Sequence, residues 1–180
     1  VVCSTGLIGE RLPMDALLAG VDAAAAASSA DGGNYAAVAI MTTDTVHKQA
    51  AITRDGFTVG GMAKGAGMLA PGLATMLVVI TTDAVLYADA AKQALAPSTA
   101  RTFDRIDSDG CMSTNDTVVL MASGASGVTP DAATFAEVLN DVCGDLARQL
   151  IGDAEGASKD IRIDIHGAAA EDQAVTAARA

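Results

Sequence analysis

Two stretches of this sequence are apolar almost without interruption: TMLVVITT (Thr75–Thr82) and TVVLMAS (Thr117–Ser123). Their length and β-branched content read as strands. A strand with no polar alternation must be covered on both faces, and helices are available to do it. Met14, Leu17, Leu18 and Val21 fall at helical spacing behind Pro13, and a short helix is expected over Tyr35–Ile40. Helical residues follow at Tyr87–Leu95 and Ser98–Ile106. The strongest pattern, Asp131–Leu150, buries Phe135, Val138, Leu139, Val142, Cys143, Leu146 and Leu150, with Thr129 as cap and Pro130 as opener. KQAAITR and FTVGGM around Asp55-Gly56 carry a hairpin signal. Val1–Ser4 reads as a short strand, and DIRIDIH, with Ile161, Ile163 and Ile165 alternating, as a half-exposed one. The expected fold is α/β, a layered sandwich of mixed sheets covered by helices, in one domain of 180 residues.

Composition removes several function classes. The net charge of −11 argues against nucleic acid or an anionic membrane surface as partner, since both reward clustered Lys and Arg. No segment approaches the roughly 18 unbroken apolar residues of a membrane span. Cys3, Cys111 and Cys143 are odd in number and widely spaced, which favours free thiols in a reducing compartment. The chain opens VVCST rather than with Met, and is expected to be part of something longer, incomplete at both ends.

Several motif look-alikes fail on their context. GAGMLA (Gly65–Ala70) matches a dinucleotide signature, but Pro71, Gly72 and a strand follow where a helix is needed. SGASG has its serine one place off the nucleophile elbow. RIDSDGCMSTND resembles a calcium loop around Asp107 and Asp109, but Arg105 and Asp116 occupy positions that need Asp and Glu. His47 and His166 lie far from each other and from any Cys at ligand spacing, so no metal site is expected.

What remains is Thr75 itself. A tract of Gly, Ala, Met and Pro with one cation, Lys64, ends abruptly at this threonine. A threonine hydroxyl is a poor nucleophile until a base takes its proton. Cutting the peptide bond between Ala74 and Thr75 would supply one, because the new α-amine titrates near ~7.7–8.0 and sits beside the hydroxyl. Thr is also a favoured strand residue, so the residues alone leave both readings open.

VCSTGLIGERLP, MTTD, GGMAKGAGMLAPGLATML, STNDT and GDAEGASK occur in this order. Together they closely resemble the ornithine acetyltransferase, or glutamate N-acetyltransferase, family of arginine biosynthesis. The resemblance runs from Val1 to Ala180. It implies a precursor that cuts itself before the threonine, so that residues 1–74 end an α chain and 75–180 begin a β chain. It also implies an N-terminal-nucleophile, aminopeptidase-like fold. Carried over by motif, Thr75 is the nucleophile and Thr5 and Gly6 form the oxyanion hole. Thr42, Lys64 and Glu155 become substrate contacts together with Thr75. A hydroxyl and a backbone N–H in a Gly-containing loop suit a developing oxyanion. Taken alone, Thr5-Gly6 would be an ordinary loop, Lys64 a solvated lysine and Glu155 an exposed acid. STNDT reads as structural, tying turns to backbone. Cys111 and Met112 depart from the small polar pair expected there.

The implied reaction moves an acetyl group from N2-acetylornithine to glutamate through an acetyl-threonine, in the cytoplasm, with no metal or bound organic cofactor. The resemblance leaves open whether acetyl-CoA is also a donor, and suggests an α2β2 assembly. Family segments before and after this stretch are absent from it, so poor turnover is expected of the 180 residues alone. The rivals are an aminopeptidase or amidase passing the acyl group to water, and an inactive folded fragment.

Overall fold

The structure, a computed structural model, describes residues 3–5, 9–69, 76–111 and 113–179. Its centre is a four-stranded sheet in the order β1 (Lys48–Arg54), β2 (Phe57–Lys64), β3 (Leu77–Thr82), β4 (Thr117–Ala122). The α/β expectation holds, and among the described residues the strands form one mixed sheet rather than a sandwich of sheets. β1 and β2 form the antiparallel hairpin that Asp55-Gly56 signals, with positive φ at both turn residues (49° and 84°) as a twist-matched two-residue turn requires. β2 pairs β3 antiparallel, and β3 pairs β4 in parallel. That parallel pair needs a crossover, supplied by α3 (Ala88–Arg101) and a short 3-10 turn over Phe103–Arg105.

Register decides what each face carries. Val59, Gly61 and Ala63 lie opposite Thr82, Ile80 and Val78, and these pairs share the core face. Lys48 sits on that face too, opposite Ala63. The face packs on α4 (Ala132–Gly152), whose buried stripe is the expected one with Ala147 added. Phe57 and Phe135 bring their ring centroids to 6.0 Å. A Cβ at Gly61 would come within 3.1 Å of Leu146 Cδ1 and of Val79 O, so glycine lets the helix close on the strand.

Other expectations need correcting. α4 starts at Ala132, and Asp131 rather than Thr129 caps it, accepting from the N–H groups of Ala133 and Thr134. The two helical stretches expected over Tyr87–Leu95 and Ser98–Ile106 are one helix, α3, which runs through Pro97, followed by the 3-10 turn. β4 has no buried residue and forms the edge of the sheet, so it does not need cover on both faces. The sheet face away from α4 has α2 (Gly33–Ala39) beside it and keeps a hollow of about 400 Å³, lined partly by Gly60, Met62, Val79 and Thr81. Residues 160–166 form no strand; Ile161 is 86% exposed and Ile163 61%. Cys3 and Ser4 are not in a strand, and Val1 and Val2 lie outside the described residues. The expected apolar face of α1 (Met14–Ala26) exists but buries nothing. A last helix, α5 (Glu171–Ala178), is tied to the 3-10 turn by Arg105 and Glu171 at 2.6 Å. The three cysteines are free; burial pushes the Cys143 thiol up to about 12. No described helix is long and apolar enough to cross a membrane.

Candidate active site

Lys64 is the last residue of β2 and pairs in register with Leu77, two residues beyond Thr75 in sequence. It is no solvated loop lysine. Its side chain is 3% exposed, and its Nζ donates to Thr42 Oγ1 at 2.6 Å. Thr42 lies exposed above it. Burial holds the Lys64 ammonium below the usual lysine pKa of 10.5, a tendency that Asp44 opposes and Lys48 reinforces. Asp44 Oδ2 stands 3.8 Å from Lys64 Nζ. Burial would raise the Asp44 pKa, but hydrogen bonds from Gly65 N–H, Lys48 and Thr42 N–H outweigh it and keep the carboxyl below its ordinary value. The result is a buried, partly desolvated cation under an exposed hydroxyl, a fitting place for a substrate carboxylate.

Past Lys64 the chain is fastened at successive residues. Gly65 N–H donates to Asp44 Oδ1 at 2.6 Å, and Ala66 O accepts from Glu155 N–H at 2.5 Å. Met68 N–H donates to Asp109 Oδ2, and Leu69 N–H to Ser108 Oγ. The small-residue tract before Thr75 is thus strand up to Lys64 and a pinned loop from Gly65 to Leu69. Asp109 also accepts from Cys111 N–H, and Asp107 from Gly110 N–H. Both carboxylates of the calcium-loop look-alike therefore serve backbone. Glu155 is exposed in the turn after α4; a Cβ on Gly67 would lie 3.5 Å from its Oε2.

The two residues before Thr5, Cys3 and Ser4, belong to a second group; they line a hollow of about 370 Å³ with Leu12 and Thr114–Thr117. One wall is Asp116, whose Oδ1 accepts from Met76 N–H at 2.9 Å. Thr117 N–H in turn donates to Met76 O at 3.0 Å. Burial raises the Asp116 pKa against the pull of the Met76 bond, and its Oδ2 is buried with no hydrogen-bond partner among the described residues. STNDT therefore does more than tie a turn, because it holds the residue that follows Thr75 in sequence. Thr75, Ala74 and Gly6 lie outside the described residues. Of the expected site residues, the structure joins Thr42 to Lys64 and sets Glu155 against the loop that continues from them. No hydrogen bond among the described residues links Thr5 to these three.

The sequence reading passed over Asp44, Lys48 and Asp153. Asp44 was within reach, because it closes the MTTD motif. Lys48 reads as an ordinary polar strand residue until the register places it opposite Ala63.

An α/β scaffold with a buried lysine bonded to an exposed threonine at one end of its sheet describes a class of site rather than one protein. The family model described as the ArgJ family matches residues 1–180, and the chain belongs to that family. This bears out the resemblance read from the motifs. The chain is 67% identical over 178 residues to the arginine biosynthesis bifunctional protein ArgJ of Streptomyces coelicolor, covering 99% of this chain and 46% of that protein. For the protein of the same name in Thermobifida fusca the identity is 66%, over 100% of this chain and 47% of the relative. For that of Mycobacterium leprae it is 60%, over 99% and 44%. The chain thus spans about half the length of the curated relatives it matches.

Proposed function

We propose that the full-length protein carrying this chain is an acetyltransferase of arginine biosynthesis, moving an acetyl group from N2-acetylornithine to glutamate. Thr75 is its nucleophile, first against its own chain. The Thr75 hydroxyl adds to the Ala74 carbonyl, the peptide bond to the Thr75 nitrogen breaks, and an ester forms. Water hydrolyses the ester, freeing the Ala74 carboxylate and an α-amine on Thr75. That amine then takes the hydroxyl proton as Thr75 attacks the acetyl carbonyl of N2-acetylornithine. Ornithine leaves, protonated, from an acetyl-Thr75. The glutamate amine attacks this ester, and N-acetylglutamate departs. Thr5 and Gly6 stabilise the oxyanion in each transfer. Lys64 and Thr42 receive the α-carboxylate common to both amino acids, and Glu155 receives an ammonium. Acetyl-CoA is a candidate second donor of the acetyl group, and the processed chains are proposed to assemble as α2β2 in the cytoplasm.

The observation that carries this reading is the Lys64–Thr42 pair, a buried ammonium bonded to an exposed hydroxyl-bearing residue at the strand end whose register partner is two residues from Thr75. Membership in a family whose relatives are named for arginine biosynthesis supports it. The test compares full-length wild type with Thr75→Ala, by intact mass and by acetyl transfer to glutamate. Wild type should be two chains that transfer acetyl, and Thr75→Ala one inert chain. A Thr75→Ala protein that still splits after Ala74 would remove Thr75 from the mechanism. Release of free acetate in place of N-acetylglutamate would favour the amidase reading.

A further inference from the structure

Beneath the Lys64–Thr42 pair lies a second lysine that the acetyl transfer does not call for. Lys48 is fully buried on the core face of β1. A lone buried ammonium is costly, and this one is answered by two carboxylates, Asp44 Oδ1 at 2.7 Å and Asp153 Oδ2 at 2.6 Å. It also donates to Val46 O at 3.3 Å. Strand alternation puts Lys48 and Lys64 on opposite faces of the sheet, yet both meet Asp44, which reaches round the strand ends.

Each carboxylate has a second task. Asp44 accepts from Gly65 N–H and Thr42 N–H, so it sets both the backbone after Lys64 and the residue that Lys64 contacts. Asp153 closes the C-terminal end of α4 and accepts from the N–H and the hydroxyl of Thr45. It stands two residues before Glu155, whose N–H binds Ala66 O. One ammonium thereby ties together the 42–46 loop, the end of β2 and the turn after α4. Apolar residues of similar volume in place of all three charged ones could fill the space with little loss of stability, but they could not hold three backbone segments in one arrangement; replacing Lys48 alone leaves two buried carboxylates without their ammonium.

We propose that Lys48 is a positioning residue for substrate recognition, setting Lys64 and Thr42 through Asp44 and the Glu155 turn through Asp153. The proposal rests on the reading of Lys64 and Glu155 as substrate contacts. The two groups that meet the carboxylate and ammonium of the substrate are then held at a fixed separation.

The test is a kinetic cycle in the full-length protein, with Lys48→Met, Lys64→Met and the double variant, assayed for acetyl transfer with N2-acetylornithine and glutamate. Lys48→Met should raise KM about tenfold in the wild-type background, the size of coupling expected inside one charge network, and clearly less when Lys64 is already Met. Lys48→Arg should recover part of the loss. Should Lys48→Met fail to fold, Asp153→Asn leaves the buried Lys48–Asp44 pair in place, and should lower the melting temperature without preventing folding while still raising KM. A fall in kcat with KM unchanged, for Lys48→Met or for Asp153→Asn, would mean that the cluster acts on the reacting centre rather than on substrate recognition, and would overturn the proposal. So would equal effects of Lys48→Met in both backgrounds, while leaving the Lys64 reading intact. An unchanged KM in Lys64→Met alone would instead remove the substrate role of Lys64, and this proposal with it.

Discussion

Asp44 answers two lysines from opposite faces of one sheet, and its charge state is therefore tied to the fold. Its carboxyl and that of Asp153 are both held below the ordinary 3.8 in the folded chain. For Asp153 burial works upward, and the bonds from Lys48 and Thr45 outweigh it. Acids with depressed folded values contribute stability that is present above the unfolded pKa and lost as pH falls through the folded one. Asp104 and Asp116, raised by burial, act in the opposite sense. A comparison with Asp44→Asn isolates one carboxylate. Denaturant melts of wild type and Asp44→Asn should differ most above pH ~4 and converge as the solution is made more acid. A gap independent of pH would mean that Asp44 acts by shape rather than by charge. Thr5 makes a different prediction. In its proposed role as an oxyanion donor it would act on the transition state, so Thr5→Ala in the full-length protein should lower kcat by ~10²–10³ with KM little changed. A rise in KM alone would make Thr5 a binding residue.

Among the elements, α4 carries the core. Leu146 is fully buried and stands where Gly61 lets the helix approach β2. Leu146→Ala should destabilise by about 2–5 kcal/mol in denaturant melts, the range for emptying a large aliphatic site. A loss well under 1 kcal/mol would mean that the helix collapses into the gap. This helix was legible in the sequence because seven apolar residues at helical spacing leave one solution. The hairpin was legible because Asp-Gly at a tight turn sets its geometry. β4 misled, since an apolar run looks the same at an edge as at the centre of a sheet. Ile161, Ile163 and Ile165 alternate like a strand, but pairing depends on a neighbour, and among the described residues they have none. Helical residues were expected as two stretches, Tyr87–Leu95 and Ser98–Ile106, with Pro97 between them. α3 instead runs through it, and a proline costs a helix one N–H bond without always ending it. Lys48 stayed hidden because its importance lies in register and in two distant carboxylates, neither visible in local pattern.

Across the whole molecule, two groups of residues approach the start of β3 from different sides. Lys64 pairs with Leu77, while Asp116 and Thr117 hold Met76 beside the hollow lined by Cys3 and Ser4. Motif resemblance assigns Thr75, next in sequence, the central part, and both groups support that proposal without including it. Carboxylate recognition at Lys64 and oxyanion stabilisation at Thr5 have meaning only if one acyl group passes through Thr75. The most direct measurement is intact and peptide mass on the full-length protein after brief exposure to N2-acetylornithine without glutamate. The account predicts two chains that part between Ala74 and Thr75, with a single acetyl group on Thr75 that disappears when glutamate is added. An unbroken chain, or a transferable acetyl group on any other residue, would contradict it.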